Sequence, residues 1–161
     1  MAPEAHRPAI AWKTRNFQPA DIPALAEIVR SSSEASHWPL ESYAKLADSP
    51  EGRLLICEAQ SLVSGFLAAR QTADQAEILN LAIHPSSRRK GAASALLAST
   101  FERLRRADAA SVFLEVRESN LPAIALYQKH GFCVSSRRKA YYRDPVEDAL
   151  CLYKKLTPEM G

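Results

Sequence analysis

Residues 79–97 read LNLAIHPSSRRKGAASALL, a strand pattern that passes through a basic turn into a helical pattern. An apolar strand ends at Pro85, a short basic turn follows, and Gly91 opens the most regular helical pattern of the chain, which we predict over 88–106. The first N–H groups of such a helix have no partner within it and point out of the turn, which suits a phosphate group. A plain helix start with a solvated basic turn explains the same residues equally well.

Strands and helices follow one another on both sides of this stretch. Alternating apolar residues predict strands, and apolar residues three and four apart predict helices. The order is β-α-α-β-β-β-α-β-α-β-β, which predicts an α/β fold with a mixed, mostly antiparallel central sheet flanked by helices. The predicted strands are 10–17, 53–58, 62–70, 77–84, 112–117, 132–142 and 148–156, and the remaining helices are one capped by Asp21 that runs to 31, one that follows Pro39 and runs to 48, and a short one that Asn120 caps and Gly131 ends.

The composition is that of one ordinary globular domain. Of 161 residues, 47% are hydrophobic and 24% are charged, so we expect a single domain over 1–161, with a flexible N-terminal extension over about 1–9. The five glycines are dispersed, which excludes a Gly-x-Gly-x-x-Gly or Walker-type phosphate loop. The net charge of +3 is too small to argue for nucleic acid, but it suits an anionic ligand.

The cysteine spacing and the lengths of the apolar runs indicate the cellular compartment of the protein. The three cysteines lie in apolar patterns without metal-ligand spacing, so we expect reduced, buried thiols and no metal. No apolar run is long enough to span a membrane, and the N-terminus lacks the pattern of a signal peptide. We therefore expect a cytoplasmic protein that has no membrane partner.

The basic turn resembles a known cofactor loop. Arg88-x-x-Gly91-x-Ala93 after a strand is similar to the acetyl-CoA pyrophosphate loop of the GNAT N-acetyltransferase superfamily, where Gln or Arg, two residues, Gly, one residue and Gly or Ala follow one another. The predicted order of strands and helices is also that of the superfamily. The resemblance implies the GNAT fold and an acetyl-CoA-dependent N-acetyltransferase.

A second stretch narrows the resemblance. Residues 114–132 read LEVRESNLPAIALYQKHGF, which is similar to the signature of RimI-type acetyltransferases, and residues 141–150, YYRDPVEDAL, resemble the C-terminal strands of that family. With the basic turn, the match spans about half of the chain. RimI-type enzymes acetylate the N-terminal alanine of a small-subunit ribosomal protein. The resemblance therefore implies this reaction, with the N-terminus of a ribosomal protein as the partner.

Two residues of this stretch can carry proton transfer. On the strand at 112–117, Glu115 shares a face with Phe113 and Arg117. If this face lines a cleft, burial raises the pKa of the carboxylate and the charge of Arg117 lowers it again, so that Glu115 can accept a proton near neutral pH. A solvent-exposed face is the commoner setting for such a carboxylate. Tyr127 lies seven residues after Asn120 on one helix face, where it can protonate a departing thiolate or, more commonly, pack in the core.

The resemblance assigns roles to these positions. It implies that Glu115 takes a proton from the acceptor amine, directly or through water, and that Tyr127 returns one to the coenzyme A sulfur. The sequence departs from the common bacterial pattern at His84, where an acidic residue is frequent, and at Ala93, where glycine is frequent. The implied acetyl-CoA contacts are Leu81, Ala82, Ile83, Arg88, Arg89, Lys90, Gly91, Ala92, Ala93, Ser94 and Asn120, and the implied acceptor contacts are Trp38, Tyr141 and Tyr142.

The acceptor is constrained by acid–base chemistry. An α-amine with a pKa near 8 is about one tenth neutral at pH 7, whereas a lysine amine is neutral in less than about one part in a thousand. A single carboxylate is therefore a sufficient base for acetylation of a protein N-terminus, although a lysine or a small-molecule amine stays open as an alternative acceptor.

A third hypothesis is a non-catalytic RNA- or ribosome-binding module with basic clusters at 88–90, 103–106 and 137–139. Aromatic residues do not interleave with these clusters, so we do not expect direct nucleic acid binding.

Overall fold

Seven strands form one sheet in the computed structural model, which describes residues 9–32 and 38–156. Two short 3-10 turns, Pro19–Asp21 and Pro85–Ser87, accompany the regular elements. The predicted order is confirmed, and the predicted N-terminal extension lies outside the described residues except for residue 9. The elements are β1 (Lys13–Asn16), α1 (Ile22–Ser31), α2 (Leu40–Asp48), β2 (Gly52–Ala59), β3 (Leu62–Thr72), β4 (Gln75–Ile83), α3 (Ala92–Arg106), β5 (Ser111–Arg117), α4 (Leu121–Lys129), β6 (Cys133–Tyr142) and β7 (Glu147–Lys155).

The sheet is mixed and mostly antiparallel, as predicted. Its strand order is β1-β2-β3-β4-β5-β7-β6, and β4 and β5 are the parallel pair. Helix α3 connects these two strands, as a parallel crossover requires. The crossover places the start of α3 beside the end of β4, where the basic turn lies.

Helices cover both faces of the sheet. Leu25 and Tyr43, from α1 and α2, pack with Phe66 of β3 on one face, while Leu96 of α3 packs with Leu114 of β5 on the other. Each such apolar side chain stabilises the fold by about 1.5–3 kcal/mol when it is fully buried. Strand β6 is the outer strand at one edge of the sheet, opposite β1, and its residues are largely exposed.

A β-bulge in β4 changes which residues face which helices. Ala69 pairs with Ile78 but Ala68 pairs with Asn80, so Leu79 has no partner on β3. Ile78 consequently lies in the core under α3, whereas Asn80 donates a hydrogen bond of 2.9 Å to a tyrosine of α2. The bulge fixes the direction of the last residues of β4, which lead into the basic turn.

The helix predicted over 88–106 starts later than expected. Arg88 is extended, and Arg89 and Gly91 have φ angles of 61° and 89°, so residues 88–91 form a turn and α3 begins at Ala92. Left-handed residues cannot continue a right-handed helix. The 3-10 turn at Pro85–Ser87 and the turn at 88–91 therefore connect the end of β4 to the start of α3.

Two smaller expectations were wrong. Asp21 does not cap α1, because its carboxylate accepts hydrogen bonds from Arg15 and from the Gln18 N–H. Cys133 is exposed on the outer strand β6, which contradicts the expectation of buried thiols. Cys57 is buried as expected, and its burial, followed by the charge of neighbouring Glu58, raises the pKa of its thiol to about 11.

Within the described residues, no helix is long and apolar enough to cross a membrane.

Candidate active site

Strands β4 and β5 part after three residue pairs. The ladder between them ends at Glu77 and Phe113, whereas β4 continues to Ile83 and β5 to Arg117. At about 3.3 Å per residue, the unpaired part of β4 offers an edge of about 20 Å. The three predicted backbone contacts, Leu81, Ala82 and Ile83, lie on this edge and pair with β3 on their other side. An extended ligand can hydrogen-bond to such an edge as an added strand does.

The N-terminus of α3 lies beside this opening without a side-chain cap. Gly91 adopts φ 89°, and the first N–H that donates within the helix is that of Ala95, to the Gly91 carbonyl at 3.0 Å. The preceding N–H groups, at Ala92, Ala93 and Ser94, are the donors that a phosphate group needs. The donor set therefore fits the pyrophosphate of acetyl-CoA.

The basic turn is held from three directions. The Trp12 indole N–H donates to the Lys90 carbonyl at 2.8 Å, and the Lys90 ammonium donates to the Ser86 carbonyl at 3.0 Å. Arg88 donates to the Ile83 carbonyl at 3.2 Å and to the Ser32 hydroxyl at 3.3 Å. Arg88 thus ties β4 to the end of α1. Sequence reasoning did not identify Trp12 as a support of this turn.

Two histidines contact the same region. The Nδ1 of His84 accepts from the Ser86 N–H at 3.2 Å, so His84 caps the short turn as an aspartate at this position would. His130, at the end of α4, lies 2.9 Å from the Ser94 hydroxyl in the first turn of α3. Burial, followed by the charges of Lys129 and Lys154, lowers the pKa of His130. This histidine is therefore mostly neutral near pH 7 and links α4 to the helix that starts at the basic turn.

Glu115 lies on β5 where the strands have already parted. The predicted alternation is confirmed, because Leu114 and Val116 are buried under α3 and α4 while Glu115 lies on the opposite face. Its side chain is only 12% exposed, and its carboxylate is 3.2 Å from the Arg138 guanidinium. Sequence reasoning expected Arg117 to be the cation beside Glu115, but Arg117 pairs with Glu147 at 3.3 Å.

Sequence reasoning also missed a second carboxylate at this site. Glu77 pairs with Phe113 across the short ladder, which places its side chain on the Glu115 face of the sheet. Burial, followed by the charge of Glu115, raises the pKa of Glu77, while Arg70 and Arg138 oppose this shift. The register between β4 and β5 joins the two carboxylates, and no local pattern in the sequence indicates that register.

Tyr127 lies on the other face of the sheet. It is buried among the residues under α3 and α4, and its ring packs edge-on against Phe132 at 5.6 Å. Burial, followed by the negative charge that Tyr142 would carry, raises the pKa of Tyr127, so its hydroxyl stays protonated at any physiological pH. Asn120 caps the same helix, and its Oδ1 accepts from the Ala123 N–H at 3.3 Å.

The predicted acceptor contacts separate into two places. Tyr141 and Tyr142, at the end of β6, lie beside Glu115, and contact with that carboxylate, followed by burial, raises the pKa of Tyr141. Burial, followed by the charge of Glu115, raises the pKa of Tyr142 to about 12. Trp38 packs instead against Tyr43 of α2, with ring centroids 5.0 Å apart.

In the described ranges, no group of three His, Cys, Asp or Glu side chains is arranged to hold a metal ion.

Known proteins resemble this chain in sequence and in fold. Residues 22–132 match the profile of the acetyltransferase (GNAT) family. A Bacillus subtilis (strain 168) protein, provisionally named a ribosomal protein bS18-alanine N-acetyltransferase, is 36% identical over 140 residues, which are 86% of this chain and 92% of that protein. The Escherichia coli (strain K12) ribosomal protein bS18-alanine N-acetyltransferase is 36% identical over 92 residues, which are 56% of this chain and 62% of that protein.

Comparison of the fold with solved structures indicates the same family. The crystal structure of the ribosomal-protein-S18-alanine N-acetyltransferase from Escherichia coli superimposes with a TM-score of 0.83 and 27% identity, and the match covers 91% of this chain and 95% of that one. The resemblance inferred from the basic turn and from residues 114–132 is confirmed. Since the family profile covers well over half of its residues, this chain belongs to the GNAT family of acetyltransferases, which use acetyl-CoA as the acetyl donor.

Proposed function

We propose that this enzyme transfers the acetyl group of acetyl-CoA to the N-terminal α-amine of a ribosomal protein that begins with alanine. The observation that carries the proposal is the mostly buried carboxylate of Glu115 at the parting of β4 and β5. Relatives named as alanine N-acetyltransferases of ribosomal protein bS18 support the choice of acceptor. A ribosomal acceptor implies that the reaction takes place in the cytoplasm.

The donor substrate occupies the opening and the turn in this proposal. The free edge of β4 at Leu81, Ala82 and Ile83 hydrogen-bonds the amides of its pantetheine arm, and the N–H groups at the start of α3 hold its pyrophosphate. Exposed Arg89 adds positive charge beside the phosphates. Asn120 caps α4 through Oδ1, which leaves its Nδ2 to donate to the same substrate.

The acceptor approaches from the face that carries Glu115. An α-amine arrives largely protonated at pH 7, and the carboxylates of Glu115 and Glu77 favour its approach as a cation. Glu115 accepts the first proton of this ammonium, directly or through water, and the neutral nitrogen then attacks the thioester carbonyl carbon. The second proton of the nitrogen passes to water as the carbon–sulfur bond breaks. Tyr141 and Tyr142 border this carboxylate and contact the first residues of the acceptor chain.

Tyr127 acts on the leaving group from the opposite face. Because burial raises the pKa of this phenol, it is a weaker acid than an exposed tyrosine, and it is always present in its protonated form. Its hydroxyl donates a hydrogen bond to the coenzyme A sulfur as negative charge develops there, and the proton follows when the carbon–sulfur bond breaks.

The alternatives find less support in the site. A small polyamine requires several carboxylates, and Glu115 shares its surroundings with Glu77 and with the cation of Arg138. Two of the basic clusters that motivated RNA binding contain arginines with local partners: Arg137 pairs with Glu118 at 2.5 Å, and Arg106 pairs with Glu102 at 2.5 Å. A lysine amine stays the principal rival acceptor.

Coenzyme A release with a set of short peptides tests the proposal. We expect release with a peptide that begins with alanine and none with the same peptide blocked at its N-terminus. We expect a peptide that begins with a bulky residue to react at least about tenfold more slowly, because the rings of Tyr141 and Tyr142 lie beside Glu115. Equal release with the free and the blocked peptide, when both carry a lysine, would identify the lysine amine as the acceptor.

A further inference from the structure

Arg117 connects the end of β5 to the turn between β6 and β7. Its Nη1 donates to the Pro145 carbonyl at 3.2 Å, and its Nη2 donates to the Arg143 carbonyl at 3.4 Å. The same guanidinium lies 3.3 Å from the carboxylate of Glu147, and both side chains are mostly buried. One side chain therefore contacts the turn at two points and the first residue of β7 at a third.

Glu147 extends this connection to the start of α4. Its second carboxylate oxygen accepts from the Ser119 N–H at 2.7 Å, immediately before Asn120. Hydrogen bonding to Ser119 is the largest cause that lowers the pKa of Glu147, so the carboxylate is ionised at neutral pH. The Arg117–Glu147 pair thus joins three segments that border the opening in the sheet.

The contacts continue to the candidate base through two tyrosines. The Arg117 guanidinium carbon lies 4.3 Å from the centre of the Tyr142 ring, which packs edge-on against Tyr141 at 5.0 Å. Tyr141 in turn contacts Glu115. Arg117 itself pairs with Glu147, and the cation beside Glu115 is Arg138. Arg117 can therefore influence the site by holding the tyrosines and not by changing the charge of the base.

We propose that Arg117 and Glu147 form a positioning clamp that holds Tyr141 and Tyr142 beside Glu115 and thereby sets the affinity for the acceptor chain. Arginine suits this role because its planar fork binds two carbonyls and a carboxylate while its face stacks on a ring, whereas a lysine ammonium cannot do all of these. The inference rests on the proposed function, since it concerns the acceptor side of that site.

The first test separates acceptor binding from chemistry. In Arg117→Lys, we expect KM for the alanine-initiated peptide to rise about tenfold or more, because charged hydrogen bonds are lost. We expect kcat and KM for acetyl-CoA to stay within about twofold, since the opening and Glu115 are intact. In Glu147→Gln, where an acceptor oxygen remains, the rise in peptide KM should be about threefold.

A matched variant controls for the loss of an arginine. Arg106 pairs with Glu102 on the exposed surface of α3, so Arg106→Lys should leave both KM values unchanged. A fall in kcat at unchanged peptide KM in Arg117→Lys, or an equal rise in both KM values, would overturn the clamp.

A second test does not depend on the acceptor. Hydrogen exchange of the amides at 142–147, measured by mass spectrometry, should be at least about tenfold faster in Arg117→Met than in the wild type, while exchange in α3 stays unchanged. If the wild type acetylates no alanine-initiated peptide, the proposed function fails, and the exchange measurement still decides the clamp. Unchanged exchange at 142–147 would contradict it.

Discussion

Glu115 and Tyr127 lie on opposite faces of the sheet, beside the opening between β4 and β5. Glu115 faces the tyrosines at the end of β6, whereas Tyr127 is buried with Leu114 and Val116 under α3 and α4. A thioester held in the opening therefore has the candidate base on one side and the candidate hydrogen-bond donor on the other. This arrangement assigns the two proton movements to separate residues, which single substitutions can distinguish.

Glu115→Gln should lower kcat for the alanine-initiated peptide by about 100-fold, because general base catalysis is removed while the side-chain shape is kept. The residual rate should rise with pH up to the pKa of the acceptor α-amine, since the uncatalysed path needs a neutral amine. Steady-state kinetics from pH 6 to 9, roughly one to two units around that pKa, measure both effects.

Glu102→Gln is the matched control for this substitution. Glu102 is an exposed carboxylate on α3 that pairs with Arg106, and its loss should change kcat by less than about twofold. If Glu115→Gln keeps a wild-type rate and pH profile, Glu115 is not the base.

Tyr127→Phe should lower kcat by about 10- to 100-fold while KM for acetyl-CoA changes little, because the hydroxyl acts when charge develops on sulfur. The ring packing against Phe132 is retained, so the free energy of unfolding should change by less than about 1.5 kcal/mol. Kinetics and urea denaturation of the same preparation measure the two quantities.

Tyr153→Phe removes the hydroxyl of an exposed tyrosine on β7 and should leave kcat unchanged. A loss of activity in Tyr127→Phe that is matched by an equal loss of folded protein would indicate a structural role alone.

Local signals in the sequence predicted the helices near the site, but not every boundary. Asn120 and Gly131 mark the ends of α4 because one accepts a backbone N–H and the other adopts φ 93°. The start of α3 was placed four residues too early, because the left-handed conformation of Arg89 leaves no signature in a basic run.

Contacts between distant segments were beyond sequence reasoning. Glu77 joins Glu115 through the register of two strands that are separated by α3, and Arg138 reaches Glu115 from the outer strand. Arg117 was expected to act on Glu115 because the two share a face, yet its carboxylate partner is Glu147, which is 30 residues away in the sequence. Pairings of this kind depend on topology, which local periodicity does not contain.

Gly91→Ala should weaken acetyl-CoA binding. A Cβ at this position would lie 3.7 Å from the Trp12 indole nitrogen, which is an ordinary van der Waals distance. The destabilisation therefore comes from the φ angle of 89° and not from a steric clash. The left-handed conformation costs an alanine about 1–2 kcal/mol, and relief of this strain would turn the first N–H groups of α3 away from the phosphates. We expect KM for acetyl-CoA to rise about fivefold or more, with peptide KM unchanged.

Gly91→Asn provides the comparison, because asparagine tolerates positive φ better than alanine does. Its free energy of unfolding should lie between those of the wild type and Gly91→Ala in chemical denaturation. An alanine variant with wild-type KM for acetyl-CoA would contradict the role of this turn.

Asp21→Asn should destabilise the fold in a pH-dependent way. The bonds from Arg15, each 2.8 Å, lower the pKa of Asp21 in the folded state. Such a group contributes stability that is fully present above its unfolded pKa of about 3.9 and that is lost as the pH falls through the lower folded pKa. Urea denaturation should show a loss on the order of 1–3 kcal/mol at neutral pH in the variant.

The difference between wild type and Asp21→Asn should shrink as the pH falls below about 4, because the carboxylate of the unfolded chain is protonated first and the folded one follows at its lower pKa. A difference that stays constant down to about pH 2 would show that the Arg15–Asp21 charge pair does not contribute.

Transfer of the acetyl group to a protein N-terminus at the parting of β4 and β5 can be tested with a peptide that begins with alanine and contains an internal lysine. Fragmentation mass spectrometry of the product locates the acetyl group. We expect one acetyl group, on the alanine α-amine, with formation strongly reduced in Glu115→Gln. An acetyl group on the lysine with a free α-amine would show that the acceptor is not the N-terminus.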